Sequence, residues 1–99
     1  MSYRISKRAD RDLDEIWRYI VIQVNQETAD RVDSDLHDAM KALARMPGMG
    51  HRRPETPNTP YRFWKVYSYL IAYRVERGTV IVVRVIHGAR DLRKLFRKR

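Results

Sequence analysis

Apolar and polar residues alternate along this chain with two different periods, and the change of period divides it into a helical half and a strand half. Tyr3-Arg4-Ile5 alternates apolar and polar, and Ser6 is a favoured N-cap, so a short strand is predicted to run directly into a helix. Over residues 7–24, Leu13, Ile16, Trp17, Ile20 and Val24 recur at helical spacing. Asp10, Asp12, Asp14 and Glu15 fall in the early turns, where negative charge complements the helix dipole. Asn25 suits the cap of a second helix, along which Ala29, Val32, Leu36, Met40, Leu43 and Met46 repeat every three or four residues until Pro47-Gly48 stops it. Helices joined this closely pack as an antiparallel hairpin, each with an apolar stripe inward and an acidic face outward. Trp17 and the methionines are packing residues, since the helical period already accounts for them.

Residues 47–60, PGMGHRRPETPNTP, hold all four prolines and two of the four glycines, and neither helix nor strand is expected there. Beyond them the period falls to two. Residues 62–67, 69–75 and 79–86 are rich in β-branched and aromatic side chains and read as three successive strands. Ser68 lies at the first bend, and Arg77-Gly78 supplies the glycine of a tight hairpin, so these strands should be antiparallel neighbours. The last is apolar on both faces apart from Arg84, as a central strand would be. After His87-Gly88, the tail ARDLRKLFRKR places Ala89, Leu92, Leu95 and Phe96 on one side of a short helix, for docking on its own sheet or on a partner. The expected fold is α+β: an N-terminal strand, an antiparallel two-helix hairpin, then a three-stranded antiparallel meander (β-α-α-β-β-β) with a basic C-terminal tail. The whole sheet is expected to be antiparallel, with the helices on one face.

Ninety-nine residues, 43% of them hydrophobic, form one core, so a single domain over 1–99 is expected. The absence of cysteine excludes disulfides, thiolate metal sites and a cysteine nucleophile. His37, His51 and His87 lack metal-ligand spacing, and neither a metal nor another cofactor is expected. No run approaches the roughly 18 apolar residues of a membrane span, nor is there a signal-like N-terminus, so no membrane role and a cytoplasmic location are expected.

Charge changes the picture more. Lys and Arg number 21 against 12 Asp and Glu, a net of +9. Residues 10–38 hold nine of those acids against Arg11, Arg18 and Arg31, a net of −6, and the rest of the chain is +15. Residues 84–99 carry seven bases against Asp91. Such segregation points to an anionic partner, a nucleic acid or an acidic protein segment.

Residue chemistry then excludes more than it supplies. There is no glycine-rich phosphate loop, and Ser2, Ser6, Ser34 and Ser68 lack the setting of a serine nucleophile. What remains is Arg62, Arg74 and Arg84 on neighbouring strands, with His87 just beyond them. Such a set can grip phosphates, and RNA cleavage through its own 2′-hydroxyl needs only an acid, a base and cations around the phosphorane. The alternatives are a His87 that bonds a backbone carbonyl at a strand end, and an Arg84 that pairs with Glu76 or Asp91. His51-Arg52-Arg53 reads equally as a binding cluster or as a solubilising loop. Bases and aromatics interleave in YRFWKVYSYLIAYR, which suits stacking on nucleobases or simply a half-buried strand. Trp64 and Tyr67 would face opposite sides of a regular strand and form no single platform.

The segments SKRADRDLDEIWRYI, GHRRPE (Gly50 to Glu55), YRFWKVYSYLIAYRV and, most specifically, VVRVIHGARDL (Val82 to Leu92) together resemble the ParE-like branch of the RelE/ParE toxin superfamily over almost the whole chain. The resemblance implies a growth inhibitor of a type II toxin–antitoxin module, associated with plasmid stabilisation and neutralised by an antitoxin. ParE-type toxins poison DNA gyrase, whereas RelE-type toxins cut mRNA in the ribosome. On the RelE pattern, Arg62, Arg74 and Arg84 would bind phosphate and His87 would lie near the acid/base position. The chain departs from that pattern: it ends LFRKR without a terminal Tyr or His, and its loop carries Arg52 and Arg53 with no lysine.

A basic chain offering Leu92 and Phe96 suits an acidic, amphipathic C-terminal antitoxin segment that folds on binding. That segment is expected over Arg62, Trp64, Arg84, Leu92 and Phe96, in a toxin–antitoxin hetero-oligomer. Target contacts are assigned to His51, Arg52 and Arg53 and to Arg90 and Arg93 of the tail. Three functions stay open: a non-catalytic gyrase poison, a metal-independent ribosome-dependent endoribonuclease, and a nucleic-acid-binding module whose affinity falls with salt.

Overall fold

The computed structural model describes residues 2–88 and 92–96. Strand β1 (Tyr3–Ile5) leads into helices α1 (Lys7–Gln23) and α2 (Gln26–Arg45). A 3-10 turn (Pro47–Met49) and a loop follow, then strands β2 (Arg62–Val66), β3 (Tyr69–Glu76) and β4 (Thr79–His87) and the short helix α3 (Leu92–Leu95). Both expected caps form. The Ser6 hydroxyl accepts from the Ala9 N–H at 3.1 Å, and the Asn25 side chain accepts from Thr28 N–H at 2.7 Å. Trp17 Nε1 donates to Asp30 at 2.8 Å and ties the two helices together.

Ala9 and Leu13 of α1 and Leu36, Met40 and Leu43 of α2 bury against Ile71 and Tyr73 of β3 and Val80, Val82 and Val85 of β4. The stripes end sooner than the periodicity predicts, because the backbone leaves the helical conformation at their last positions. Val24 and Met46, expected in them, are exposed as the residues that close α1 and α2.

The sheet order is β1-β4-β3-β2, with β2, β3 and β4 an antiparallel meander and β4 central as expected. The sheet as a whole is mixed rather than antiparallel, because β1 runs parallel to β4, with Arg4 opposite Ile81. Alternation marks a strand but is identical in either direction; the direction depends on where residues 46–61 deliver the chain after α2. Between β3 and β4 the register slips: Ala72 faces Arg84 and Tyr73 faces Val82, so Val83 is an extra residue in a β-bulge.

Helix α1 holds that bulge from above. Ser6 Oγ donates to the Val83 carbonyl at 3.1 Å. The Asp12 carboxylate accepts from the Val85 N–H at 3.0 Å and from Arg84 Nε and Nη2 at 2.8 and 3.2 Å. Asp12 therefore does not belong to an acidic outer face, and the partner of Arg84 is Asp12 rather than Glu76. Glu76 pairs with Arg74 instead, and Asp91 lies outside the described residues. Ser6→Ala removes a helix cap and a bond to the bulge together, and should lower unfolding free energy by about 1–2 kcal/mol in urea titrations.

The opposite face of the sheet carries a smaller core of Phe63, Leu70, Ala72, Ile86 and Leu92. Phe96 closes it, with its ring 5.0 Å from Tyr61 and edge-on to Phe63 at 5.6 Å. The tail thus docks on its own sheet. At the β3–β4 turn, Arg77 and Gly78 both adopt positive φ (51° and 78°), as a two-residue type I′ hairpin requires. At the β2–β3 turn it is Tyr67 that takes the left-handed conformation (φ 55°), so Tyr67 lies beyond the strand expected to contain it. Its hydroxyl donates to Asp35 of α2, and this bond raises its pKa.

Candidate functional site

A cavity of about 280 Å³ opens on the face of the sheet away from the α1–α2 hairpin. His51, Arg53, Lys65 and His87 surround it, Phe63 and Leu70 line it with apolar surface, and Ser68 and Gly88 complete its wall. Strand alternation presents Lys65 on the same side as Phe63, one pleat along β2. His87 ends β4, its ring edge-on to Tyr69 at 5.9 Å. The Gly88 N–H donates to the Ser68 carbonyl at 2.7 Å and joins the two walls.

The loop residues are positioned by backbone pairing. His51 and Phe63 exchange both N–H···O bonds, at 2.9 and 2.8 Å, extending the sheet by one residue beyond β2. The His51 ring stacks on Trp64 with centroids 6.2 Å apart and planes at 24°. Beneath the loop, the buried Tyr73 hydroxyl donates to the Pro47 carbonyl at 2.7 Å and accepts from the Gly50 N–H at 2.8 Å. Arg53 faces Glu55 with its Nε 3.9 Å from the carboxylate, too far for a hydrogen bond, and that buried Nε has no acceptor.

Burial pushes the Tyr73 phenol up from its ordinary pKa of about 10, outweighing the Gly50 hydrogen bond and the nearby Arg62, which both act to lower it. A folded-state pKa raised above the unfolded one gives stability that is complete below pH 10 and is lost as pH rises through the folded value. Urea midpoints measured from pH 9 to pH 11.5 should therefore fall more steeply for the unmodified chain than for Tyr73→Phe.

Each of the strand arginines expected to converge is engaged by a group of its own chain. Arg62 donates to the Gly50 carbonyl at 3.0 Å, Arg74 pairs with Glu76, and Arg84 is held by Asp12 with its side chain 12% exposed. His87, by contrast, shares its cavity with His51 and Arg53. Lys65 was not singled out in the sequence, although its alternation with Phe63 and its approach to Arg53 through the loop bridge put it there. Arg52 points elsewhere and donates to the Thr59 carbonyl at 2.8 Å. Arg93 lies exposed on α3, and Arg90 is outside the described residues. Of the residues expected to meet an antitoxin, Leu92 is buried in the chain's own second core, while Trp64 and Phe96 are half-buried at the margins of the two cores.

A second cavity, of about 400 Å³, separates α1 from β3 and β4 and is lined by Ile16, Tyr19, Tyr69 and Val85, with Asp12 and Glu15 at its acidic side. It adjoins the first at Ser68 and His87. Among the described residues no three His, Asp or Glu side chains cluster as a metal site, and no helix is long and apolar enough to cross a membrane.

A two-helix hairpin over a four-stranded mixed sheet with β4 inside it, and a basic cavity on the open face, defines a small α+β domain suited to an anionic partner. The chain matches the model of the ParE toxin of the type II toxin–antitoxin system, parDE, over residues 3–92. It is 34% identical over 91 residues to toxin ParE1 of Caulobacter vibrioides, with 92% of this chain and 93% of that protein covered. Its fold matches a solved chain of the chromosomal ParDE toxin–antitoxin system from P. aeruginosa with a TM-score of 0.76, covering 88% of this chain and 95% of that one at 22% identity. The chain belongs to the ParE toxin family of type II toxin–antitoxin systems.

Proposed function

We propose that this toxin arrests growth without catalysis, by binding DNA gyrase and stabilising its cleaved-DNA state in the cytoplasm, and that a cognate antitoxin neutralises it. The observation that carries this reading is the fate of Arg84. An RNA-cleaving site on these strands would need its guanidinium for the phosphorane, yet Asp12 holds it through Nε and Nη2 against helix α1. Arg62 and Arg74 also have partners in the chain, which supports the same reading.

The antitoxin segment, acidic and amphipathic, lies in this reading across the open face over Phe96 and the exposed Arg93, and wraps the β2 edge to reach Trp64 on the helix side of the sheet. The basic loop of His51, Arg52 and Arg53 and the tail then serve target contacts. A second reading, the ribosome-dependent endoribonuclease, draws on one observation: His51, Lys65 and His87 share a cavity. Two imidazoles and an ammonium are the groups that metal-free RNA cleavage uses.

Induction of the toxin in a bacterial host, with and without the antitoxin encoded beside it, separates these readings. Gyrase poisoning should give DNA breaks with intact messages, suppressed by the antitoxin, and His87→Ala should arrest growth as the unmodified toxin does. Message cleavage without DNA breaks, lost by about 10²-fold or more in His87→Ala, would establish the nuclease instead.

A further inference from the structure

We propose that the cavity bounded by His51, Arg53, Lys65 and His87 binds one nucleotide of a single-stranded nucleic acid through its phosphate. The inference goes beyond the toxin reading, since it requires neither gyrase nor an antitoxin.

Charge is the first reason. Among the described residues, every ionisable side chain lining the cavity is a base or an imidazole. Glu55, beside it, faces Arg53 at 3.9 Å without a hydrogen bond, and among the described residues no ion pair opposes Lys65. The second reason is the buried Arg53 Nε–H, which has no acceptor in the fold. A buried donor without a partner is costly to fold around, and an anionic oxygen supplied from the cavity would satisfy it.

Size and lining identify the ligand class. A volume of 280 Å³ is more than a lone anion fills, and the Phe63 and Leu70 surfaces suit the apolar face of a sugar or base. Donors reach the cavity from the loop (His51, Arg53), from β2 (Lys65) and from the end of β4 (His87). The two non-bridging oxygens of a phosphodiester can accept from these donors, and its attached sugar and base meet the Phe63 and Leu70 surfaces, which a side-chain carboxylate has no group to cover.

The site is also built before any ligand arrives. His51 is fixed by its paired bonds to Phe63 and by stacking on Trp64, and the Tyr73 hydroxyl anchors the loop at Pro47 and Gly50. A preformed cavity loses little conformational entropy on binding. A cavity of this volume admits one extruded nucleotide rather than a duplex.

The test is a titration of the full chain with the oligonucleotide dT8, followed by the ring proton resonances of His51 and His87. Both should shift and saturate, with an affinity that falls as salt rises. Arg53→Ala/Lys65→Ala, with its fold checked by the amide spectrum, should bind about tenfold or more weakly, as expected for losing charged hydrogen bonds. Arg18→Ala, on the exposed side of α1 where Arg18 pairs with Asp14, should bind as the unmodified chain does. The inference is overturned if the histidine resonances stay still while dT8 binds elsewhere, if the double variant binds as tightly as the parent, or if an octaglutamate peptide shifts these resonances and dT8 does not. Growth arrest is scored separately. Shifts without arrest uphold this site and overturn the toxin reading; arrest without shifts does the reverse.

Discussion

Asp12→Ala is expected to destabilise the protein by about 3–5 kcal/mol, the loss seen when one partner of a buried ion pair is removed. The carboxylate is 95% buried and has three protein hydrogen bonds, two from Arg84 and one from the Val85 N–H. Its removal leaves a charged guanidinium and a backbone donor without an acceptor in the interior. For a chain of this size, that corresponds to a fall in Tm of roughly 12 °C or more. Arg84→Met alone leaves Asp12 with only the Val85 N–H and the half-exposed Arg8 guanidinium 3.8 Å away, and should also be costly. The double variant Asp12→Leu/Arg84→Met removes both charges and should recover much of the loss, but not all of it, because Val85 N–H still lacks its acceptor. Urea unfolding of the four proteins gives the coupling energy directly. Near-additive losses, without recovery in the double variant, would mean that the pair is not coupled as the geometry requires.

Gyrase poisoning should respond differently from stability in this series. If the antitoxin and target both read the outer face, the double variant should keep antitoxin binding whenever it is folded, since Asp12 and Arg84 act from the helix side.

In the proposed readings both the target contacts and the phosphate site use the loop that begins at Gly50, and Gly50→Ala carries the second large expected effect. A Cβ built there overlaps the Tyr73 hydroxyl and stands 2.6 and 2.8 Å from two carbons of its ring. Tyr73 cannot swing aside, because it is fully buried between Ile71 and the helices and its hydroxyl is bonded to Pro47. The loop must lift instead. Loss of about 2–3 kcal/mol is expected, from overpacking together with the broken Gly50 bond. The His51–Phe63 pairing should weaken with it, so amide exchange at Phe63, normally slowed by its bond to His51, should accelerate in Gly50→Ala. Tyr73→Phe in the same chain should relieve only part of the strain, since the ring carbons remain. Full recovery by Tyr73→Phe would show that the hydroxyl alone is the obstacle. Gly48, by contrast, has nothing within 4 Å of an added Cβ, and Gly48→Ala should leave the loop in place.

The elements of the helical half were legible because each has a local cause. Ser6 and Asn25 cap, Pro47-Gly48 stops, and the apolar stripes lie at helical spacing. The exceptions, Val24 and Met46, fit the period but lie where the backbone leaves the helical conformation. The strands were equally legible from their alternation, and Tyr67 was misplaced by one position because a tyrosine with positive φ leaves no mark in the pattern. The cavity was legible in part. His51, Arg53 and His87 were singled out as basic residues, but Lys65 was one charge on an ordinary strand until the loop was paired to its edge.

By itself, then, the sequence determined the number, kind and order of the elements, the burial of the β4 strand, the segregation of charge and the likeness to a toxin family, because these follow from neighbours within a few residues. Tertiary structure alone decided the parallel placement of β1, the bulge at Val83, the pairing of Arg84 with Asp12 seventy-two positions away, and the meeting of loop and strand bases around one cavity. An arginine on a strand has many acids to choose from along the chain. Which one it meets depends on how a helix crosses the sheet, and that is a property of the packed chain rather than of any segment.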